Sequence, residues 1–219
     1  MARHGSTRAG RWLVQLRFKT SLTSKEYVSR KAWRAATLER CPIHTHGKCS
    51  FSRHGTYVRV NPPSTQIPRW YCPQAHRTFS LLPDYLAARL SGSLREVESV
   101  VVEVEQTKSL ETAADQLRLD IELPGAIRWT RRRVKYVQAS LTVLLGLLPE
   151  LFAGCQPTLT AFCHWLRVDV VLPALREIAA LHLGFLPPPL GFRPPCGLGG
   201  EPKRGDQHRM GPDPPPSLQ

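Results

Sequence analysis

Two short clusters of soft donors constrain this chain more than any other feature. One is Cys41-Pro-Ile-His44-Thr-His46-Gly-Lys-Cys49, the other Tyr71-Cys72-Pro-Gln-Ala-His76. Thiolate and imidazole groups supplied in two groups are what a tetrahedral structural zinc site requires. Cys41, His44, Cys49, Cys72 and His76 make five candidates for four places, so the histidine that completes three cysteines is His44 or His76. His46 and His54 read as surface residues. Proline after Cys41 and after Cys72 pre-sets a tight turn that aims backbone donors at sulfur. Between the clusters, Thr56–Val60 and Ile67–Tyr71 read as strands, joined by the turn-rich Asn61-Pro-Pro-Ser-Thr-Gln66. Two knuckles bracketing a hairpin predict a small zinc ribbon over 41–82, holding one Zn2+. A module this small needs a metal staple because its own core is thin.

The charge balance points to the partner. Against 17 Asp and Glu stand 30 Lys and Arg, a net +13 with a pI near 10.0. Polyanions suit such a chain, since each neutralised phosphate releases condensed counterions. Ten of these cations lie in residues 1–40, opposed only by Glu26 and Glu39. That stretch reads as a basic, disordered arm. Six cysteines without an apolar leader suggest a reducing, cytoplasmic setting, where thiolates serve metals more often than disulfides. The apolar run Leu141–Leu148 ends at Pro149 and is shorter than the roughly 20 residues a bilayer demands, so no membrane association is expected.

Residues 83–183 carry helical patterning. Ser93-Leu-Arg-Glu96 is a capping box, and Leu94, Val97, Val101 and Val104 behind it share a stripe. Ser109 caps a second helix, Leu110–Leu117, whose Ala113-Ala114 pair permits close crossing. A third helix runs from Ala126 to Leu148, entered through Pro124-Gly125. Arg128, Arg131, Arg132 and Lys135 recur there at i, i+3, i+4 and i+7 and share a face, with Trp129 and Arg133 interleaved. Further amphipathic pieces lie near Thr158–Leu166 and Pro173–Leu183. Cys155, Cys163 and His164 fall among them and read as packing residues, and these helices offer a self-association surface. From Leu186 onward, Pro-Pro-Pro and the Gly-rich run to the end read as a disordered tail containing Cys196.

A resemblance follows from these residues. Arg69-Trp-Tyr-Cys72-Pro-Gln-Ala-His76-Arg-Thr-Phe-Ser80 resembles the second knuckle of zinc ribbons in bacterial insertion-element proteins, whose form is an aromatic strand, Cys-x-x-Cys-Gly-Arg, then Thr-Phe-Ser. Arg53-His-Gly55 resembles the Arg-x-Gly after their first knuckle, and Leu81-Leu-Pro-Asp84 continues in the same manner. Ala75 stands in the second cysteine's place and His76 in the glycine's. Ile127-Arg-Trp-Thr-Arg-Arg-Arg133 is similar to the Arg-Trp-plus-basic run of transposase helix-turn-helix domains. The likeness covers residues 41–147 and implies a helix whose first turns enter the major groove. The linker 118–124 is longer than the usual three or four residues of that motif.

The expected architecture is therefore α+β. It consists of a basic arm (1–40), a zinc ribbon (41–82), a helical bundle with a helix-turn-helix-like trihelical unit (83–148), additional helices (149–185) and a disordered tail (186–219). The expected function is double-stranded DNA binding, nucleoid-associated and transposase-related, with Arg128, Trp129, Arg131, Arg132, Arg133 and Lys135 as contacts. No clustered carboxylates or phosphate-cradling loop suggest an enzyme or a small-molecule substrate. A zinc-stabilised protein-interaction module is the alternative, and single-stranded RNA binding through Trp70 and Tyr71 a third reading.

Overall fold

The computed structural model describes residues 13–192, apart from 45, 48, 108 and 118–122. It is α+β, with one four-stranded sheet and six α-helices among the described residues. Two compact units divide at Arg59/Val60, Pro63/Ser64 and Pro83/Asp84.

The sheet unit contains β1 (Leu13–Phe18), α1 (Ser24–Ser29), a short 3-10 helix (Ala32–Arg34), β2 (Ser52–Val58), β3 (Gln66–Cys72) and β4 (Arg77–Pro83). The strand order is β1-β4-β3-β2, parallel between β1 and β4 and antiparallel elsewhere. The two strands expected between the donor clusters are present as β2 and β3. Gly55, at φ 74°, sits where the β2–β3 register shifts between Arg53 and Thr56, a bulge that a residue with a Cβ would strain. One sheet face carries a core of Trp70, Phe79 and Leu81 together with Ala36, Cys41 and Cys72.

Residues 13–40 correct the reading of a disordered arm. Leu13–Phe18 adds a strand to β4, and Thr23 opens α1 with a capping box in which the Glu26 carboxylate accepts from Thr23 N at 2.8 Å. Fully buried Tyr27 packs between Phe18 and Trp33 and donates its hydroxyl to the Gln66 carbonyl at 2.9 Å. Burying an aromatic of this size contributes on the order of 2 kcal/mol, enough to hold a six-residue helix that could not persist alone.

The helical unit contains α2 (Leu94–Thr107), α3 (Leu110–Leu117), α4 (Leu123–Leu147), α5 (Leu159–Leu166), α6 (Val171–Ile178) and a 3-10 turn (Ala180–His182). Val60–Pro63 belong with it, and Gly92 N donates to the Asn61 carbonyl at 3.2 Å. Ser93 and Glu96 form the expected reciprocal box at the start of α2. Helices α2, α3 and α4 pack pairwise, with Ala113 and Ala114 fully buried, as close crossing requires. The helical pieces expected beyond Pro149 are α5 and α6, and they share one unit with α2–α4. No helix among the described residues is long and apolar enough to cross a membrane.

Two carboxylates of α2 start the later helices. Glu98, 5 % exposed, accepts from Val171 N and Leu172 N at 2.6 and 2.8 Å, where Val170 provides no side-chain cap for α6. Seven residues on, Glu105 accepts from Leu159 N, Thr160 N and the Thr160 hydroxyl at the start of α5. Each places negative charge where the helix dipole and unpaired N–H groups favour it.

Burial pushes the Glu98 carboxyl above its ordinary range, opposed by those two N–H groups. A raised native value means the folded state holds this proton more tightly than the unfolded chain. Stability is therefore expected to fall as pH rises from the ordinary glutamate value through the raised one. Urea unfolding followed by helical circular dichroism across that window should show the decline in wild type and lose it in Glu98→Gln. Glu98→Ala, which leaves two N–H groups without their acceptor, should cost about 1–3 kcal/mol at neutral pH.

Leu186–Phe192 correct the start of the expected tail. Leu186 and Leu190 are fully buried, and Ser140 donates to the Pro187 and Pro188 carbonyls, both at 2.8 Å. A Cβ on Gly191 would run into the Leu186 carbonyl, so only glycine fits there. The rest of that tail, including Cys196, lies outside the described residues.

Candidate functional site

The described residues between the 3-10 helix and β2 form no helix or strand, yet they place Cys41, His44 and Cys49 beside Cys72 at the end of β3. The ligand atoms of these four residues all lie within 4.8 Å of one another. His44 Nδ1 stands 3.5 Å from Cys41 Sγ and 3.4 Å from Cys72 Sγ. With Zn–S near 2.3 Å and Zn–N near 2.0–2.1 Å, the edges of a tetrahedron are about 3.6–3.8 Å. These separations fit ligands around a common centre. Cys41 and Cys72 are buried, whereas His44 and Cys49 are half-buried.

The local sequence explains the shape. Pro42 turns the chain so that the N–H groups of Ile43 and His44 point back at the Cys41 sulfur. Burial works to raise the Cys41 thiol. The two N–H groups, the His44 ring and Cys72 outweigh it and bring the value down to about 6. Cys49 moves the other way, to about 11, because burial and the neighbouring Cys41 and Cys72 oppose a further negative charge. Ionising all three of these thiols would set like charges against one another, and a divalent cation is what would relieve that repulsion.

Of the two histidines left open by the sequence, His44 joins the cluster and His76 does not. His76 is exposed at the β3–β4 turn with φ 49°, and its Nδ1 lies 3.2 Å from the Tyr71 hydroxyl. Left-handed backbone is what glycine adopts without strain, so a residue with a side chain is strained at this turn. Ala75, in the cysteine's place, packs against the core instead. His46 lines the same open concavity as Cys41 and Cys49 without entering the donor group, and exposed His54 lies against the Tyr71 ring at a tilt of 41°. Trp70 is 5 % exposed, so it is a core residue and not the base-stacking surface of the RNA reading.

On α4, Arg128, Arg131, Arg132 and Lys135 are all exposed, as expected for one face. Arg132 leans over the Tyr136 ring at 5.8 Å. Two of the expected contacts are corrected. Arg133 is 5 % exposed, and it donates to the Ser91 carbonyl at 3.3 Å and stacks on Trp129 at 3.6 Å. It follows the buried seam of Ala126, Thr130, Val137, Ser140 and Leu144, seven-residue-spaced positions that face the rest of the unit. Trp129 is half-buried beneath that guanidinium, an intramolecular stack. The connection 118–122 is outside the described residues.

Cys155 and Cys163 are half-buried and belong to no donor cluster among the described residues. Burial raises the Cys155 thiol, the opposite of what a nucleophile or ligand needs. No protein-family model matches the chain, and neither a curated protein nor a solved structure is found to be similar to it.

Proposed function

We propose that this chain is a zinc-stabilised DNA-binding protein. One Zn2+, held by Cys41, His44, Cys49 and Cys72, makes the sheet unit a ribbon-type module, and the exposed cations of α4 bind duplex phosphates. The observation that carries the binding reading is the one-sided exposure of Arg128, Arg131, Arg132 and Lys135 on a helix whose opposite seam is buried. The net charge of +13 supports it. Binding is favoured over catalysis because Glu26, Glu96, Glu98 and Glu105 already hold helix starts. Kinship with the non-catalytic part of bacterial transposases rests on the segments 53–55, 69–84 and 127–133.

Fluorescence anisotropy with a labelled duplex, repeated over a salt series, tests this. Four phosphate contacts give a slope of log affinity against log salt of about −3.6. Alanine at Arg128, Arg131, Arg132 and Lys135 together should abolish binding and leave the helical circular dichroism unchanged. Arg133→Ala is expected to lower stability instead, since it empties a buried stack. Undiminished affinity in the quadruple variant rejects the α4 surface, and preference for single strands moves the reading to RNA.

A further inference from the structure

The four donors of the proposed zinc site are unevenly buried. Cys72 is fully buried and Cys41 is 4 % exposed, whereas His44 and Cys49 are half-buried. Cys41, His44 and Cys49 line an open concavity whose wall also carries Glu39, Arg40 and His46. A small solute can therefore reach the edge of the donor group that runs between Cys41 and Cys49. The far corner, Cys72, is closed off in the core with Trp70, Phe79 and Leu81.

The sulfurs on that edge also differ from the third in what holds them. Cys72 ends β3 and pairs with Arg77 of β4, so the ladder fixes its backbone. Cys41 and Cys49 belong to a segment whose described residues form no helix or strand. Within it Gly47, at φ 79°, has open space where a side chain would stand. The three sulfurs lie within 4.8 Å of one another, and a disulfide needs two of them at about 2.0 Å. A loop closes such a gap by turning its side chains and shifting its backbone, which a strand in a ladder resists.

We infer that Cys41 and Cys49 are a redox pair, which a hydroperoxide converts into a disulfide that discharges the metal. The inference rests on the zinc reading above. The Cys49 thiolate, on the open side, attacks the terminal oxygen of the peroxide and breaks its O–O bond. Its sulfur becomes a sulfenic acid, and the other oxygen leaves as an alkoxide or hydroxide that takes a proton from water. The Cys41 thiolate then attacks the Cys49 sulfur and expels hydroxide, which forms the S–S bond. Two thiolates have lost two electrons, and the peroxide has gained them. His44 and Cys72 remain, two donors where a structural zinc ion takes four, so the ion leaves.

The test begins with metal analysis of the reduced full chain and then follows zinc release, read with a chromogenic chelator, as hydrogen peroxide is added. One zinc should appear for each disulfide formed, and a dithiol with added Zn2+ should restore the bound metal. Lys48 lies between the two cysteines in sequence, so trypsin separates their peptides unless a disulfide joins them. Mass mapping of the oxidised chain should find those two peptides joined and the Cys72 thiol free. Cys155→Ser, which alters a half-buried cysteine outside the donor group, should release zinc as wild type does. Zinc that the reduced chain binds and peroxide does not release overturns this inference alone. So does release without a disulfide, a disulfide to Cys72, or release that Cys155→Ser prevents. A reduced chain that binds no zinc overturns both this inference and the reading beneath it.

Discussion

Purified chain should contain one zinc ion, and Cys72→Ser should lose both the ion and the folded sheet unit. The size of the effect follows from where the ligands sit. Cys41 and Cys72 are core residues, in the same cluster as Trp70, Phe79 and Leu81. The described residues of the loop that carries Cys41, His44 and Cys49 form no helix or strand, so under the proposed zinc site its order is expected to depend on the ligands. Structural zinc contributes about 10–16 kcal/mol in comparable small modules, more than the ~5–15 kcal/mol by which most domains are stable at all. Removing one ligand, or chelating the metal, is therefore expected to unfold β2–β4 and leave the helices of the other unit formed.

Metal analysis, with amide exchange read separately over residues 52–83 and 94–178, checks both halves of that statement. Two histidine variants sharpen it. His44→Ala should lose the metal, since His44 Nδ1 stands within 3.5 Å of two sulfurs. His76→Gly should keep it and unfold no earlier than wild type, because glycine relieves the backbone at φ 49°. Zinc lost on changing His76 and retained on changing His44 would reverse the ligand assignment. A metal-free wild type would remove the centre altogether.

Much of this site was legible because its signals are local. The donors, the proline turns and the two strands between them occupy short stretches whose chemistry does not depend on distant residues. The helices were legible for the same reason, and α3 spans Leu110–Leu117, the same residues the pattern marks. The choice between His44 and His76 was not local. It depends on a loop folding back to the end of β3, which spacing does not encode.

Arg133 shows a second limit. A run of three arginines cannot lie on one helix face at about 100° per residue, so one must turn inward. The seam through Ala126, Thr130, Val137 and Ser140 takes Arg133, but its small and polar members make a weak apolar stripe. The folded arm had a readable mark, Thr23-Ser-Lys-Glu26, the same box that marks α2 at Ser93–Glu96. Its basic composition obscured it. The alternation in Leu13–Phe18 is likewise short, and that strand is fixed by pairing with β4 more than sixty residues away.

Replacing Arg176 by methionine should destabilise the helical unit by about 3–5 kcal/mol, lowering its unfolding temperature by on the order of 10–20 °C. Arg176 is 1 % exposed, a cation taken out of water. Its guanidinium donates from Nε to the Leu190 carbonyl at 3.0 Å, from Nη1 to those of Asp84 and Leu86 at 2.8 and 2.6 Å, and from Nη2 to that of Pro189. Phe192 lies against its face at 5.6 Å. One side chain on α6 thus fastens the segment that opens the unit and the proline-rich segment that closes it.

The proline composition explains why such a donor is needed. Prolines 187–189 bring carbonyls but no N–H groups, so apart from the Gly191 N–H, which donates to the Pro187 carbonyl at 2.9 Å, donors to these acceptors must come from elsewhere. Ser140 on α4 and Arg176 on α6 meet them, together with Ala88 N, which donates to the Pro189 carbonyl at 3.1 Å. Methionine keeps the length and the apolar stem but takes that donor from the Asp84, Leu86, Pro189 and Leu190 carbonyls, at about 1–3 kcal/mol for each group not re-satisfied. Lysine retains the charge but not the planar fork, so Arg176→Lys should fall between the two. Denaturant melts of both variants, read by helical circular dichroism, measure the ordering. If Arg176→Met unfolds with wild type, the segment 186–192 is held by its apolar residues and the Ser140 and Ala88 hydrogen bonds, and the guanidinium is a passenger.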